Sequence, residues 1–109
     1  MPRKNDGFKD FIVDQLADLH DVTWRAMFGG FGLYQSTTFF AIIQKGRLYF
    51  KVRATTVSKY KEYGMKPFRP NAKQTLTSFY EVPIDVIEDA EALTQWAAKA
   101  VNATVEQLG

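Results

Sequence analysis

The sequence feature that most constrains the fold is a run of four short strand-like segments joined by very short links. The segments are VTWRAMF at residues 22–28, GLYQ at 32–35, FFAIIQ at 39–44 and RLYFKV at 47–52. A parallel crossover needs a dozen or more residues, so links this short predict an antiparallel meander. The segment 39–44 is apolar on both sides, which favours a central strand, and Lys45-Gly46 is typical of a two-residue hairpin turn.

One helix is predicted before these strands and a short one after them. The first would be capped by Asn5 or Asp6 and run to about Leu19, because its apolar residues recur at helical spacing. Residues 55–64 form the second predicted helix. Gly64 is expected to end it, since glycine readily adopts the left-handed conformation that follows a helix.

The C-terminal part is predicted to add a loop, a strand and a broken helix. Residues 65–73 contain two prolines and no periodic pattern, which indicates a loop, and residues 77–82 read as a fifth strand. Asp85 followed by Glu88 suggests a capping box, and the helical pattern continues to about residue 108 with a break near 89–91. The chain is therefore expected to be one α+β domain at residues 1–109. It would have two layers, with helices on one face of an antiparallel sheet that holds the four-strand meander and a fifth strand.

Composition excludes several classes of function. The chain has 109 residues, 46% of them hydrophobic, which suits one domain with a real core. It contains no cysteine, so disulfides, thiolate metal sites and cysteine nucleophiles are excluded. No stretch reaches the about 20 apolar residues of a membrane-spanning helix. A cytoplasmic protein without a membrane partner is expected.

No group of residues indicates catalysis. His20 is the single histidine and falls at the end of the predicted first helix, where its charge would suit the helix dipole. Without a second histidine or a cysteine, a zinc site is not expected. The serines lack the sequence context of a nucleophile elbow. We therefore expect a non-catalytic chain with no metal and no cofactor.

Three glycines, Gly29, Gly30 and Gly32, lie in the stretch RAMFGGFGLY at residues 25–34. A phosphate-binding loop would open a helix and carry Lys-Ser or Lys-Thr, whereas a strand pattern follows here. The likeness to an RNA-recognition motif is partial, because the residue before Gly30 is glycine and the strand order of that fold is missing. A structural hairpin is predicted, with Gly29-Gly30 in the turn and Gly32 allowing a bulge or a close backbone approach.

The same stretch resembles the TfoX/Sxy N-terminal domain family. The resemblance rests on RAMFGGFGLY at 25–34, FAI at 40–42 and GRLYFK at 46–51, with YEVP at 80–83 and Trp96 later in the chain. It implies an α+β domain related to secretion-chaperone-like folds. The best-known members regulate competence for DNA uptake, and the resemblance implies action through protein contacts at promoters. Those members also carry a C-terminal domain, which this chain is expected to lack. The family implies no catalytic residues.

Charge is unevenly distributed along the chain. Residues 1–40 carry −1, residues 41–80 carry +8 and residues 81–109 carry −5, which together make +2. The predicted fourth strand places four side chains on one face, namely Arg47, Tyr49, Lys51 and Arg53. Further basic residues follow on the helix and loop: Lys59, Lys66, Arg69 and Lys73. This surface could bind nucleic acid through phosphates and stacked bases, or simply keep an uncovered sheet face soluble.

Protein–protein interaction is the favoured function, and nucleic-acid binding through residues 45–73 is the alternative. Four aromatic residues are candidates for an interface core, namely Phe31, Tyr34, Tyr49 and Phe68. The partner would be the transcription machinery or a second copy of the chain. A homodimer could form through the sheet, or where the acidic end of one copy meets the basic middle of the other.

Overall fold

The computed structural model describes residues 4–27 and 29–108, which form ten helices and strands. Their bounds are α1 Lys4–Gln15, β1 Val22–Met27, β2 Gly30–Gln35, β3 Thr38–Gln44, β4 Arg47–Lys51, α2 Val57–Glu62, β5 Pro67–Asn71, β6 Gln74–Glu81, α3 Ile84–Ile87 and α4 Ala90–Leu108. Phe28, predicted to close the first strand, lies outside the described residues. The α+β class is confirmed.

The strands form one antiparallel sheet in the order β1-β2-β3-β4-β6-β5. The predicted meander of the first four strands is confirmed. Lys45 and Gly46, with φ of 53° and 71°, turn the hairpin between β3 and β4. Because both φ angles are positive, the turn twists in the sense that matches the two strands.

Residues 65–73 contain strand β5, so the prediction of a loop there is wrong. β5 lies at the edge of the sheet and pairs with β6 through an irregular register, with Pro67 opposite Tyr80. A proline has no N–H to donate, which an edge strand tolerates on its open side. Phe68, only 1% exposed, anchors the strand.

The main core lies between the sheet and the helices. Phe40, Leu48 and Phe50 from the sheet are fully buried there, together with Leu93 and Ala97 from α4. β3 is buried on both faces over residues 40–43, which confirms its predicted central position. α4 is the helix with the most extensive contact with the sheet, against β3 and β4.

The helix ends differ from those predicted. α1 ends at Gln15 rather than near Leu19, and Asn5 and Asp6 lie inside it rather than at a cap. The capping box of Asp85 and Glu88 is also wrong, because α3 begins after Pro83 with no side-chain cap. The predicted break is present, and Asp89 caps α4 there by accepting the Ala92 N–H at 3.1 Å.

The glycine hairpin forms, with its turn one residue earlier than predicted. Gly29 has a φ of +74°, whereas Gly30 is already in β2 and pairs with Met27. The close backbone approach occurs at Gly30, where a Cβ would overlap the carbonyl oxygen of Ile43. At Gly32 a Cβ would meet the Met27 side chain at 2.6 Å, and the register shift between β2 and β3 follows at Leu33 and Tyr34.

Gly30→Ala should therefore destabilise the fold by about 3 kcal/mol, at the upper end of the cost of overpacking a well-packed site. Gly7→Ala is the matched control, because a Cβ at this helical position meets nothing within 4 Å. This substitution should raise the free energy of unfolding by about 0.5–1 kcal/mol, since alanine favours a helix more than glycine does. Chemical denaturation of both variants measures the difference. A Gly30→Ala protein as stable as the wild type would contradict the close approach.

Candidate interaction surface

The face of the sheet opposite the helices carries its own small apolar cluster. Ile42, Phe68 and Phe79 are buried in it, and Phe39, Tyr49 and Leu76 pack around them. All six residues belong to strands, and in the part of the chain that the structure describes no helical residue joins the cluster. We call this surface, with Tyr34 beside it, the uncovered face.

Aromatic rings form a row across the uncovered face, in two groups of contacting rings. Tyr34 contacts Phe39 at 5.3 Å between ring centroids, and Phe39 contacts Phe79 at 5.5 Å. Tyr49 packs on Phe68 at 4.8 Å. Tyr34, Phe39 and Tyr49 remain partly exposed. The face thus offers aromatic contact area that is already held in place by its neighbours, which lowers the entropic cost of a contact.

Three cations lie over or beside this row. The Arg25 guanidinium lies 5.3 Å from the Tyr34 ring centroid, and the Lys51 ammonium lies 5.2 Å from that of Phe79. Both distances are in the range of cation–π interactions. Arg47 donates to both carboxylate oxygens of Glu81, at 3.1 and 3.0 Å. Each cation is therefore engaged with a neighbouring strand.

The predicted alternation along β4 is present. Arg47, Tyr49 and Lys51 lie on the uncovered face, while Leu48 and Phe50 are buried in the main core. Burial raises the pKa of the Tyr49 phenol, the Glu81 carboxylate adds to the rise, and the Arg47 guanidinium opposes it. The phenol therefore stays protonated at neutral pH and can donate a hydrogen bond to a partner.

The other predicted residues lie elsewhere. Arg53 follows the end of β4, where its backbone N–H donates to the Thr56 hydroxyl at 3.0 Å. Arg69 donates to the Ala72 carbonyl oxygen at 2.8 Å, which keeps it at the β5–β6 turn. Lys66 and Lys73 are exposed near β5, and Lys59 lies on α2. The structure therefore brings together Arg47, Tyr49 and Lys51. Of the remaining five, Arg53, Lys66 and Lys73 lie next to strand ends, Arg69 lies within β5 and Lys59 lies on α2.

Two of the proposed interface aromatics are core residues. Phe31 is buried in the main core, where its ring meets Trp24 edge-to-face at 5.4 Å, and Phe68 is buried under Tyr49. Arg25 and Phe39 also lie on the uncovered face, although neither was predicted from the sequence to belong to an interaction surface. The alternating pattern of β1 and its pairing to β2 is the signal that could have placed Arg25 beside Tyr34.

His20, the acidic side chains and the helices are the features that bear on metal and membrane binding in the residues that the structure describes. His20 is exposed, and its carbonyl oxygen accepts from the Gln35 amide at 3.3 Å. Among residues 4–27 and 29–108, no group of three or more His, Cys, Asp or Glu side chains could hold a metal ion. None of the described helices is long and apolar enough to cross a membrane.

The Tyr49 phenol provides a test of the geometry of the uncovered face. Replacing Arg47 by alanine should raise the pKa of Tyr49 further, because the positive charge that opposes the rise is lost. Glu81→Gln should lower it, since that change removes a negative charge. The pKa is measured from the Tyr49 ring resonances during an alkaline NMR titration. Lys66→Ala is the control, and equal pKa values in all variants would contradict the contacts.

Comparison with known proteins agrees with the fold. The family model described as the TfoX N-terminal domain matches residues 14–104. No curated protein matches the chain. The matched segment begins in α1 and includes all six strands, the uncovered face and most of α4. Since it covers most of the 109 residues, the chain belongs to the TfoX N-terminal domain family.

Proposed function

We propose that this chain is a non-catalytic protein-interaction domain that binds a protein of the cytoplasmic transcription machinery through the uncovered face. The observation that carries the proposal is the row of partly exposed rings, Tyr34, Phe39 and Tyr49, on a sheet face that no described helix covers. Aromatic residues are enriched in the cores of protein interfaces. Their rings would form the centre of the contact, and the engaged cations its polar rim.

The engaged cations favour a protein partner over nucleic acid. Arg47 is bonded to Glu81, and Lys51 lies on Phe79. A phosphate would have to replace these contacts, whereas a protein surface can pack against them as they stand. The rings also contact one another at tilted angles of 34° and 42°, so that they do not present parallel faces to successive bases.

Family membership supports a role in transcription. The competence regulators that the sequence resembles act through protein contacts at promoters, and the uncovered face supplies a surface for such contacts. The proposed partner is therefore a component of a promoter complex. A second copy of the chain, packed face to face through the sheet, is the other occupant of the uncovered face that the experiment distinguishes.

The proposal is tested by site-specific photo-crosslinking in cells. A benzophenone amino acid replaces Tyr49, and in the matched control it replaces Gln95 on the exposed side of α4. Tyr49 should yield one discrete adduct, identified by mass spectrometry as a transcription protein, whereas Gln95 should not. An adduct of twice the chain's mass would identify the second copy instead. No adduct specific to Tyr49 would contradict the proposed surface.

Nucleic-acid binding remains the second candidate, supported by the charge of the sheet. In the strands that the structure describes, Glu81 is the single carboxylate, against Arg25, Arg47, Lys51 and Arg69. If the basic face holds phosphates, affinity must fall steeply as salt rises, because phosphate contacts release counterions.

The double variant Lys51→Glu/Arg53→Glu separates the two candidates. Fluorescence anisotropy with labelled single-stranded DNA, duplex DNA and RNA is measured at low and at physiological salt. If the chain is a protein-interaction domain, the wild type should not bind any of these nucleic acids at physiological salt. Binding that persists there, and whose log–log salt slope falls by about two in the variant, would favour the nucleic-acid alternative.

A further inference from the structure

A cavity of about 170 Å³ lies on the helix side of the sheet, between α2 and α4 and beside the end of β4. Three lysines border it, one from each element: Lys51, Lys59 and Lys99. The uncovered face lies on the other side of the sheet and shares Lys51 with the cavity lining, but the proposed function makes no use of the cavity itself. The cavity joins residues that are 48 positions apart in the sequence, from Lys51 to Lys99.

The charge of the cavity lining is entirely positive. None of its nine lining residues is an aspartate or glutamate. Lys99 is the single basic residue among residues 81–109, which otherwise carry six acids, and α4 places it here. Like charges that share a cavity repel one another, and no lining carboxylate offsets them. An anion in the cavity would remove that repulsion.

The inner wall of the cavity is aromatic and rigid. Tyr60 is 4% exposed and meets Trp96 edge-to-face at 4.8 Å. Trp96 also meets Tyr63 at 5.6 Å, so that its indole is held from two sides. Burial raises the pKa of the Tyr60 phenol, which keeps its hydroxyl protonated. An organic group bound beside the anion would therefore contact a preformed ring surface.

Hydroxyl groups complete the rim. Thr56 holds the loop before α2, because its hydroxyl accepts the Arg53 N–H at 3.0 Å and lies 3.4 Å from the Arg53 carbonyl oxygen. Its neighbours Thr55 and Ser58 are exposed and line the cavity. Ammonium groups and hydroxyls are both donors to the several oxygens of a phosphoryl group.

We propose that this cavity binds a small phosphomonoester, with the dianionic phosphoryl group held by Lys59 and Lys99 and the organic part lying against Trp96. The volume is below the roughly 300–1,000 Å³ of sites for drug-sized ligands, which limits the ligand to a compact compound. Lys51 borders the same cavity, but its ammonium lies against Phe79 on the uncovered face, so the charges that would hold the phosphoryl group are those of Lys59 and Lys99.

NMR titration with phenyl phosphate tests the proposal. The Trp96 indole N–H resonance should shift in a saturable way, whereas that of Trp24, which packs on Phe31 and does not line the cavity, should not. Inorganic phosphate should compete with the probe. Benzoate, which carries one charge, should bind at least tenfold more weakly than the dianion.

Charge-matched variants locate the site. Lys59→Ala/Lys99→Ala should weaken phenyl phosphate binding at least tenfold. Lys66→Ala/Lys73→Ala removes the same charge from exposed positions outside the cavity and should leave the affinity unchanged. The proposal is overturned if sodium chloride at equal ionic strength gives the same Trp96 shift, if benzoate binds as tightly as phenyl phosphate, or if both double variants lose affinity equally.

Discussion

The packing of α4 against β3 and β4 is the contact on which the rest of the structure depends. α4 contributes small buried residues, Ala97 and Ala100, to the core that also holds the buried rings of Phe40 and Phe50, and small side chains let a helix approach a sheet closely. Burial of each large apolar side chain contributes about 1.5–3 kcal/mol, which makes this interface the main source of stability. α1 and α3 pack beside α4, and Gln15 of α1 donates to the Ile87 carbonyl oxygen of α3 at 2.9 Å.

This one-sided covering gives the two surfaces of the sheet different roles. The helix side is a closed core that borders the lysine-lined cavity between α2 and α4. The other side buries Ile42, Phe68 and Phe79 using strand residues alone and leaves partly exposed rings above them. Lys51 is shared by the two surfaces, because its ammonium contacts Phe79 on the uncovered face and the residue also borders the cavity on the helix side.

The strands of the sheet were predicted from the sequence more completely than the residues of its candidate binding surfaces. The antiparallel meander could be predicted because the links between its strands are too short for a parallel crossover. The hairpin turn could be predicted because it depends only on two adjacent residues, Lys45 and Gly46. β5 was missed because its prolines suppress the local strand signal, and only its edge position and the burial of Phe68 make them acceptable. Lys99 was not linked to Lys59, because α4 brings them together by tertiary packing that no local pattern encodes.

The central claim is that the uncovered face is the interaction surface. It is tested most directly by backbone hydrogen exchange of the chain, free and in complex with the purified partner that the crosslink at Tyr49 identifies. Backbone amides of β4 and β6, the strands that carry Tyr49, Lys51 and Phe79, should gain protection on binding, while the exchange of α4 should not change. Protection confined to α4, with β4 and β6 exchanging as in the free chain, would contradict the assignment of the uncovered face as the interaction surface.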